Sequence, residues 1–386
     1  MTDYDKFGLA LSSYLNGAKE CTEEELWVKY VRFQNEIENL KCNDFRWYYH
    51  RAHYLNTQNE MEEARIKIDR TIELSNNLSD DLMRENCIYL TVPFGNGSKS
   101  RYSLGLSSPN KLFSDVYLLA GEIYAKTGNS SESLDFYKIG QYYGSLLKSE
   151  FEDYNSISLF SFRRYNEYSL SDLINNTITV SPSTMMNDPF DSIINLWAEE
   201  KRMDRICKEK KHIKPLCSSF SYYRLRAFAS GKDNEPVQNV LMWSHYAAEH
   251  NGFCIKYNLS KHFIKQAEND QHEHMYLKKI KYSDEKTSIL TDTIKSDLAF
   301  ATKKKDWEYE NEVRLIVYNP NKEDSHYGIE LDNDSRIEAI FFGYRCPENT
   351  INTIKSIFYQ QQNKDIKFYK MDLDEDDVYS LRYVEL

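Results

Sequence analysis

In the stretch "DWEYENEVRLIV", residues 306–317, two acids and a base stand at alternate positions: Glu310, Glu312 and Arg314. Val313, Leu315 and Val317 recur with period two and Ile316 adds β-branching, so the stretch reads as a strand with one buried face. Charges two residues apart on such a strand stand about 7 Å from one another. That spacing admits two readings: a solvated edge with a same-strand ion pair, or a reactive site. In a site, one acid can orient or deprotonate a reacting group while the other stabilises developing positive charge. Trp307 and Tyr309 set large rings just before the acids, where a merely exposed strand needs none, and this favours a site.

Three further patches carry residues of matching chemistry. In "FSFRRYNEYSLSDLINNTITVSPSTMMNDPFDS" a strand bearing Arg163 leads through a short helix to a second strand ending at Ser181. A guanidinium binds phosphates through forked donors and a charge that does not titrate away. Arg164 is the alternative, since adjacent strand residues point oppositely. "NDPFD", residues 187–191, is rich in turn formers and reads as a rigid turn that would set Asn187 and Asp188 beside Ser181. "LMWSHYAAEHNGFCIKY" offers Trp243 and Tyr246, rings able to stack on a flat ligand, and His245, either a core histidine or a ligand contact. Asp188, Asp191, His245, Glu310 and Glu312 also make an oxygen-rich set of the kind that suits Mg²⁺ or Mn²⁺ in a nuclease. GxGxxG, P-loop and HExxH motifs are absent.

The elements that must position these residues change character along the chain. Residues 1–150 read as helical: Tyr48, Ala52, Leu55, Ala64 and Ile68, and then Tyr117, Ala120, Gly121, Tyr124, Gly128, Ser133, Tyr137 and Gly140, fall at the intervals of helix-turn-helix repeats. Gly121 would let two helices approach closely and Gly128 would end the first. The second set resembles a tetratricopeptide repeat, which implies a domain that binds a protein or peptide partner. "CIYLTVPFGNGSKSRYSLGLSSPNK" between the two sets is strand-like or looped. From about residue 158 short β-rich runs follow, among them "SLFSFRRY", "TITVSP", "LCSSFSY", "GFCIKY", "VRLIVY" and "IEAIFFG". Helical stretches lie between them, including "VLMWSHYAAEH" and "TDTIKSDLAFATKKKDW". Strands and helices mixed without βαβ alternation predict, over 158–386, an α+β candidate catalytic domain around a mainly antiparallel sheet.

A formal charge of -11, from acids spread over both halves, argues against bulk attraction to nucleic acid or anionic lipid. The basic stretch 201–214 reads as an exposed helix face, with a nucleic-acid acceptor docking there as the alternative. No basic leader precedes an apolar core and no run reaches the ~18 apolar residues of a membrane span. Seven widely spaced cysteines without a CxxC pair indicate reduced thiols, and together these features predict a cytoplasmic protein.

The order "FRRY…VSP…NDPFD", "CSSFS…LMWSHYAAEHNGFCIKY", "TKKKDWEYENEVRLI", "IEAIFFG" resembles, over residues 158–386, a bacterial family known only as a domain of unknown function, some members of which are fused to helical repeats. A more distant resemblance is to the ADP-ribosyltransferases, which carry an Arg on a first strand, a Ser-x-Ser/Thr on a second and Glu-x-Glu on a later one. Arg163, Ser181-Pro182-Ser183 and Glu310-Asn311-Glu312 stand in that order, with a proline interrupting the serine motif. This resemblance implies an ADP-ribosyltransferase-like fold, NAD as substrate and no metal. Glu312 would act at the ribose, Glu310 on an acceptor and Arg163 on the pyrophosphate. Ser181, Asn187, Asp188, Trp243, His245 and Tyr246 would line the NAD site. It also implies an effector such as a bacterial toxin or phage-defence protein. The rival readings are the metal-dependent nuclease and a non-enzymatic adaptor that binds peptides through its helices.

Overall fold

A computed structural model of the chain describes residues 3–15, 23–39, 41, 43–76, 87–91, 103–107, 109–145, 151, 155–186, 213–265, 274–284, 300–320, 326–361, 365–375, 377 and 379–386. The chain divides into two compact units. Unit 1 comprises Met1–Leu147, Leu196–Ser221 and Lys286–Ser296; unit 2 comprises Lys148–Asn195, Tyr222–Glu285 and Asp297–Leu386.

Unit 1 begins with helices α1 (Asp3–Leu15), α2 (Glu23–Asn39), α3 (Phe45–Thr57) and α4 (Met61–Asn76). An antiparallel hairpin, β1 (Cys87–Thr91) with β2 (Ser103–Ser107), precedes α5 (Pro109–Lys126) and α6 (Ser130–Ser145). Asp44 starts α3 by accepting the Arg46 N–H at 2.8 Å. Gly128, at φ 91°, makes the left-handed turn that follows α5. Gly121 sets the spacing of α5 and α6: a Cβ there would fall 2.7 Å from the Tyr137 ring, and the Ser133 hydroxyl donates to the Gly121 carbonyl at 2.7 Å. The core of this unit is aromatic and aliphatic, with Phe7, Tyr30, Phe33, Leu55, Ile68 and Val116 buried.

Unit 2 opens with β3 (Ser156–Arg163), α7 (Glu167–Asn175) and β4 (Thr177–Pro182). Asn166 and Ser169 cap α7 reciprocally, and Asn176, left-handed at φ 53°, turns the chain into β4. Next comes α8 (Ile213–Phe220), which belongs to unit 1 and packs on α6. The rest of unit 2 runs β5 (Tyr223–Ala229), α9 (Val240–Tyr246), β6 (Phe253–Ser260), α10 (Lys261–Lys265), β7 (His274–Lys279), β8 (Lys281–Tyr282), β9 (Thr302–Lys303), β10 (Glu312–Tyr318), β11 (Tyr327–Glu330), β12 (Arg336–Phe342), α11 (Glu348–Gln360), β13 (Lys367–Leu373) and β14 (Leu381–Glu385). The main sheet has the order β11-β4-β5-β3-β6-β12-β13-β14, with β10 on β5 and β7 on β10. Its pairs are antiparallel except β12–β13, which α11 connects. The molecule is thus an α+β protein, helical first and then built on a mostly antiparallel sheet.

Two expected elements differ. "LCSSFSY" is not a strand: Leu216 and Phe220, four residues apart, bury one face of α8, and β5 starts only at Tyr223. Thr302 and Lys303, expected within a helix, form the short strand β9 parallel to β8.

Strand β10 is central, not an edge. It pairs with β5 along one side and β7 along the other, and all seven of its residues are buried. Val313, Leu315 and Val317 enter the larger core, with Ile255 and Tyr257 of β6 and Ile351 and Ile354 of α11. Strand β5 is flanked on its other side by two strands: β4 pairs at Leu225 and Arg224, and β3 pairs only through Phe160↔Ala229. Beyond that pair β3 and β5 diverge, while β3 stays registered with β6 through Arg163↔Phe253. The interrupted ladder opens a gap in the sheet.

Candidate active site

The gap holds a cleft of about 480 Å³. Side chains alternate faces along a strand, so an unbroken sheet would keep Arg163 and Glu312 apart. Here residues of both parities line one space: Ser161, Arg163 and Arg226 from strands β3 and β5, and Glu312 from the facing parity of β10.

The acids meet through a corner rather than along a strand. Glu310 ends a 3₁₀ turn (Lys305–Glu310), Asn311 is left-handed at φ 43°, and β10 starts at Glu312. This corrects the expectation that both acids share one strand face. A reciprocal clamp holds the corner: the Asn311 carbonyl accepts from the Ser230 N–H at 3.0 Å and the Ser230 hydroxyl at 2.8 Å, and Asn311 Nδ2 donates to the Ser230 carbonyl at 2.6 Å. Lys303 Nζ then bridges the carboxylates, donating to Glu310 at 2.6 Å and Glu312 at 3.2 Å. Arg314 grips Glu312 with Nε at 2.5 Å and Nη2 at 3.2 Å, and donates from Nη1 to the Phe300 carbonyl at 2.9 Å. The Tyr246 hydroxyl donates to Glu310, and the Glu312 N–H donates to the Tyr282 hydroxyl at 2.9 Å.

Exposure of 4% for both acids and 0% for Arg314 rules out the solvated-edge reading. Burial pushes the Glu310 carboxyl above its usual proton affinity, against the opposing pull of Lys303. Burial acts the same way on Glu312, but Arg314 and Lys303 outweigh it and hold that carboxyl below the usual range. The pair is therefore split into one acid that keeps a proton more readily and one that stays anionic, the division of labour that acid–base chemistry needs.

Arg163 is oriented from behind by Asp172 of α7, at 3.2 Å. Asp172 is fully buried and accepts from the Thr179 N–H at 2.8 Å and hydroxyl at 2.5 Å, so β4 fixes the carboxylate that fixes the guanidinium. Arg164 is exposed and also lines the cleft, as does Arg226, whose Nη2 donates to the Ser161 hydroxyl. Arg226 Nε is buried without a hydrogen-bond partner among the described residues, a donor suited to an anionic ligand.

Of the candidates from sequence, Arg163, Ser181, His245, Tyr246, Glu310 and Glu312 line this one cleft. Trp243 does not. It is completely buried, donates Nε1–H to the Val237 carbonyl at 2.7 Å, and packs edge-on against Phe162, so it is core rather than a stacking platform. His245 is exposed at the cleft, 6.1 Å from Tyr246, 6.2 Å from Trp307 and 6.3 Å from Tyr309 between ring centroids. Trp307 in turn lies under Lys303, whose Nζ is 4.8 Å from its ring. Asn187, Asp188 and Asp191 lie outside the described residues. The nuclease reading relied on two of these, and its glutamates are already held by Lys303 and Arg314.

Sequence reasoning missed Lys303, Arg226 and Tyr282. Arg226 had a readable signal, since "YRLRAFA" alternates like a strand. Among the described residues no helix is long and apolar enough to cross a membrane, and no group of three or more His, Cys, Asp or Glu could hold a metal ion. No curated protein and no solved structure matches the chain. Residues 242–315, from Met242 of α9 to Leu315 of β10 and including Lys303 and both acids, match a family described as a protein of unknown function, DUF2971, so a DUF2971 domain is found there, most of it in the unit that carries the cleft.

Proposed function

We propose that unit 2 binds NAD in the β3/β5 cleft and breaks its nicotinamide–ribose bond, as an enzyme with an ADP-ribosyltransferase-like fold. One observation carries the reading: Arg163, Ser181, His245, Tyr246, Glu310 and Glu312, far apart in sequence, line a single cleft. Its 480 Å³ falls among small-molecule sites, which span roughly 300–1,000 Å³. The pyrophosphate meets Arg163, Arg164 and Arg226, three charges that do not titrate away. Glu312, held anionic by Arg314 and Lys303, faces the ribose as it gains oxocarbenium character. Glu310, which retains a proton more readily, serves as the acid–base group, with the Tyr246 hydroxyl fixing its orientation. Ser181 hydrogen-bonds the ribose. Unit 1 binds a protein or peptide partner and directs the enzyme as an effector.

The test is nicotinamide release from NAD by the full chain. Wild type is expected to release it, and Glu312→Gln to lower the rate by about a hundredfold or more, the usual effect of removing one preorganised electrostatic group. Absence of both NAD binding in calorimetry and nicotinamide release overturns the reading.

A further inference from the structure

A second cavity, of about 350 Å³, borders the first. Ala229, Met242 and Glu310 line both, so the Glu310 carboxyl belongs to the partition between two spaces. That partition is braced by the Ser230–Asn311 clamp and by Asn239, whose Nδ2 donates to the Tyr309 carbonyl at 2.9 Å. The two spaces differ in charge. Arg163, Arg164, Arg226 and Lys303 line the cleft together with the two acids. The charged residues lining the second cavity are Glu235 and Glu310, joined by the amide of Gln238. Side chains so sorted favour an anionic ligand on one side of Glu310 and a cationic one on the other.

We infer that the second cavity is the acceptor subsite of a group transfer, and that it takes an aliphatic primary amine in its ammonium form. The inference rests on the NAD reading of the cleft. An ammonium is a compact cation with three donors, which Glu235, the Gln238 amide oxygen and Glu310 can receive. Hydrolysis would require only water, and water needs no second cavity with a further acid, Glu235, in its wall. In the transfer, the ammonium gives one proton to the Glu310 carboxylate. The freed lone pair forms a bond to ribose C1′, and the C1′–nitrogen bond to nicotinamide breaks with its electron pair leaving on neutral nicotinamide. The product is a secondary ammonium carrying ADP-ribose.

The full chain, given NAD and cadaverine, is expected to form the amine-linked ADP-ribose adduct seen by mass spectrometry, with faster nicotinamide release than without the amine. Glu235→Gln should lower the ratio of adduct to free ADP-ribose by about tenfold, the effect of losing a hydrogen bond to a charged group. Nicotinamide release that ignores the amine and yields only free ADP-ribose overturns the inference and leaves the NAD reading standing. An adduct with agmatine joined through its guanidinium nitrogen, with none formed from cadaverine, overturns the amine class. Without any nicotinamide release the NAD reading fails, and calorimetry then decides the cavity: cadaverine binding weakened by Glu235→Gln supports a cation subsite, and no binding to wild type overturns it.

Discussion

Lys303 is the residue on which the charge balance of the cleft turns. Its ammonium lies within hydrogen-bond reach of two buried carboxylates that would otherwise repel, while Arg314 completes the neutralisation of Glu312 alone. Replacing it by methionine keeps the bulk and removes the charge, so Glu310 should titrate about one pH unit or more higher, as a carboxyl does on losing a nearby cation. Carboxyl NMR titration checks this, and Lys303→Arg should restore the lower value. The two acids also predict opposite pH effects on stability. Glu310 binds its proton more tightly folded than unfolded, where 4.5 is usual, so its contribution is fully present below 4.5 and falls as pH rises through the raised value. Glu312 binds its proton less tightly folded, so its contribution is present above 4.5 and is lost as pH falls through the lowered value. Glu310→Gln should therefore gain on wild type as pH climbs from 4.5. Glu312→Gln should cost about 3–5 kcal/mol near neutrality, the effect of breaking a buried ion pair, with the deficit shrinking in acid. Melting curves from about pH 2 to 8 read both, the Glu312 effect below 4.5 and the Glu310 effect above it, and shifts of the same sign would contradict the assignment. The acids themselves were legible, because Glu-x-Glu before an apolar alternation is a local signal. Lys303 was not: "TKKKDW" offers three lysines in a row, and only the β8–β9 pairing, formed from residues far apart in sequence, selects which one points at the acids.

At the scale of elements, the cleft exists because β3 leaves β5 after one pair, and the turn before β6 decides where β3 ends. Gly252 stands at that point. A Cβ on it would fall 2.1 Å from the Arg163 carbonyl oxygen and 2.9 Å from that of Ala247, both backbone atoms that cannot swing aside. Gly252→Ala must therefore push the last residue of β3, Arg163, out of register with Phe253, at about 1–3 kcal/mol for an overpacked site. The expected result is a lower melting temperature together with weakened binding of pyrophosphate-bearing ligands, read by calorimetry on the folded fraction. Unchanged binding would show that the turn does not position the arginine. Most strands were readable from period-two patterns; β4, "TITVSP", lies at Thr177–Pro182, where alternation placed it. What alternation could not reveal is the splay, since the pairing of β5 with β4, β3 and β10 is a property of the assembled sheet. Nor could it separate Glu310 from the strand, because the left-handed Asn311 breaks the run without a glycine or proline to announce it.

Over the whole molecule, the chain passes repeatedly between its two units. A change of texture near residue 150 marks the first passage, but Leu196–Ser221 and Lys286–Ser296 return to the helical unit. Helix α8 makes the consequence concrete: Leu216 and Phe220 are buried, and the helix packs against α6 of unit 1. A fragment cut at the apparent boundary, residues 148–386, would carry α8 without α6 and expose these side chains, each worth about 1.5–3 kcal/mol when buried. In size-exclusion chromatography that fragment should elute as aggregate. Leu216→Ser with Phe220→Ser should then improve its solubility, because the residues no longer have a core to fill. In the full chain the same two substitutions should lower the melting temperature, because there both side chains are buried. The opposite signs in fragment and full chain separate the explanation from a general effect of polar substitution: improvement in both, or damage in both, would mean that the returning segment is not an integral part of the helical unit.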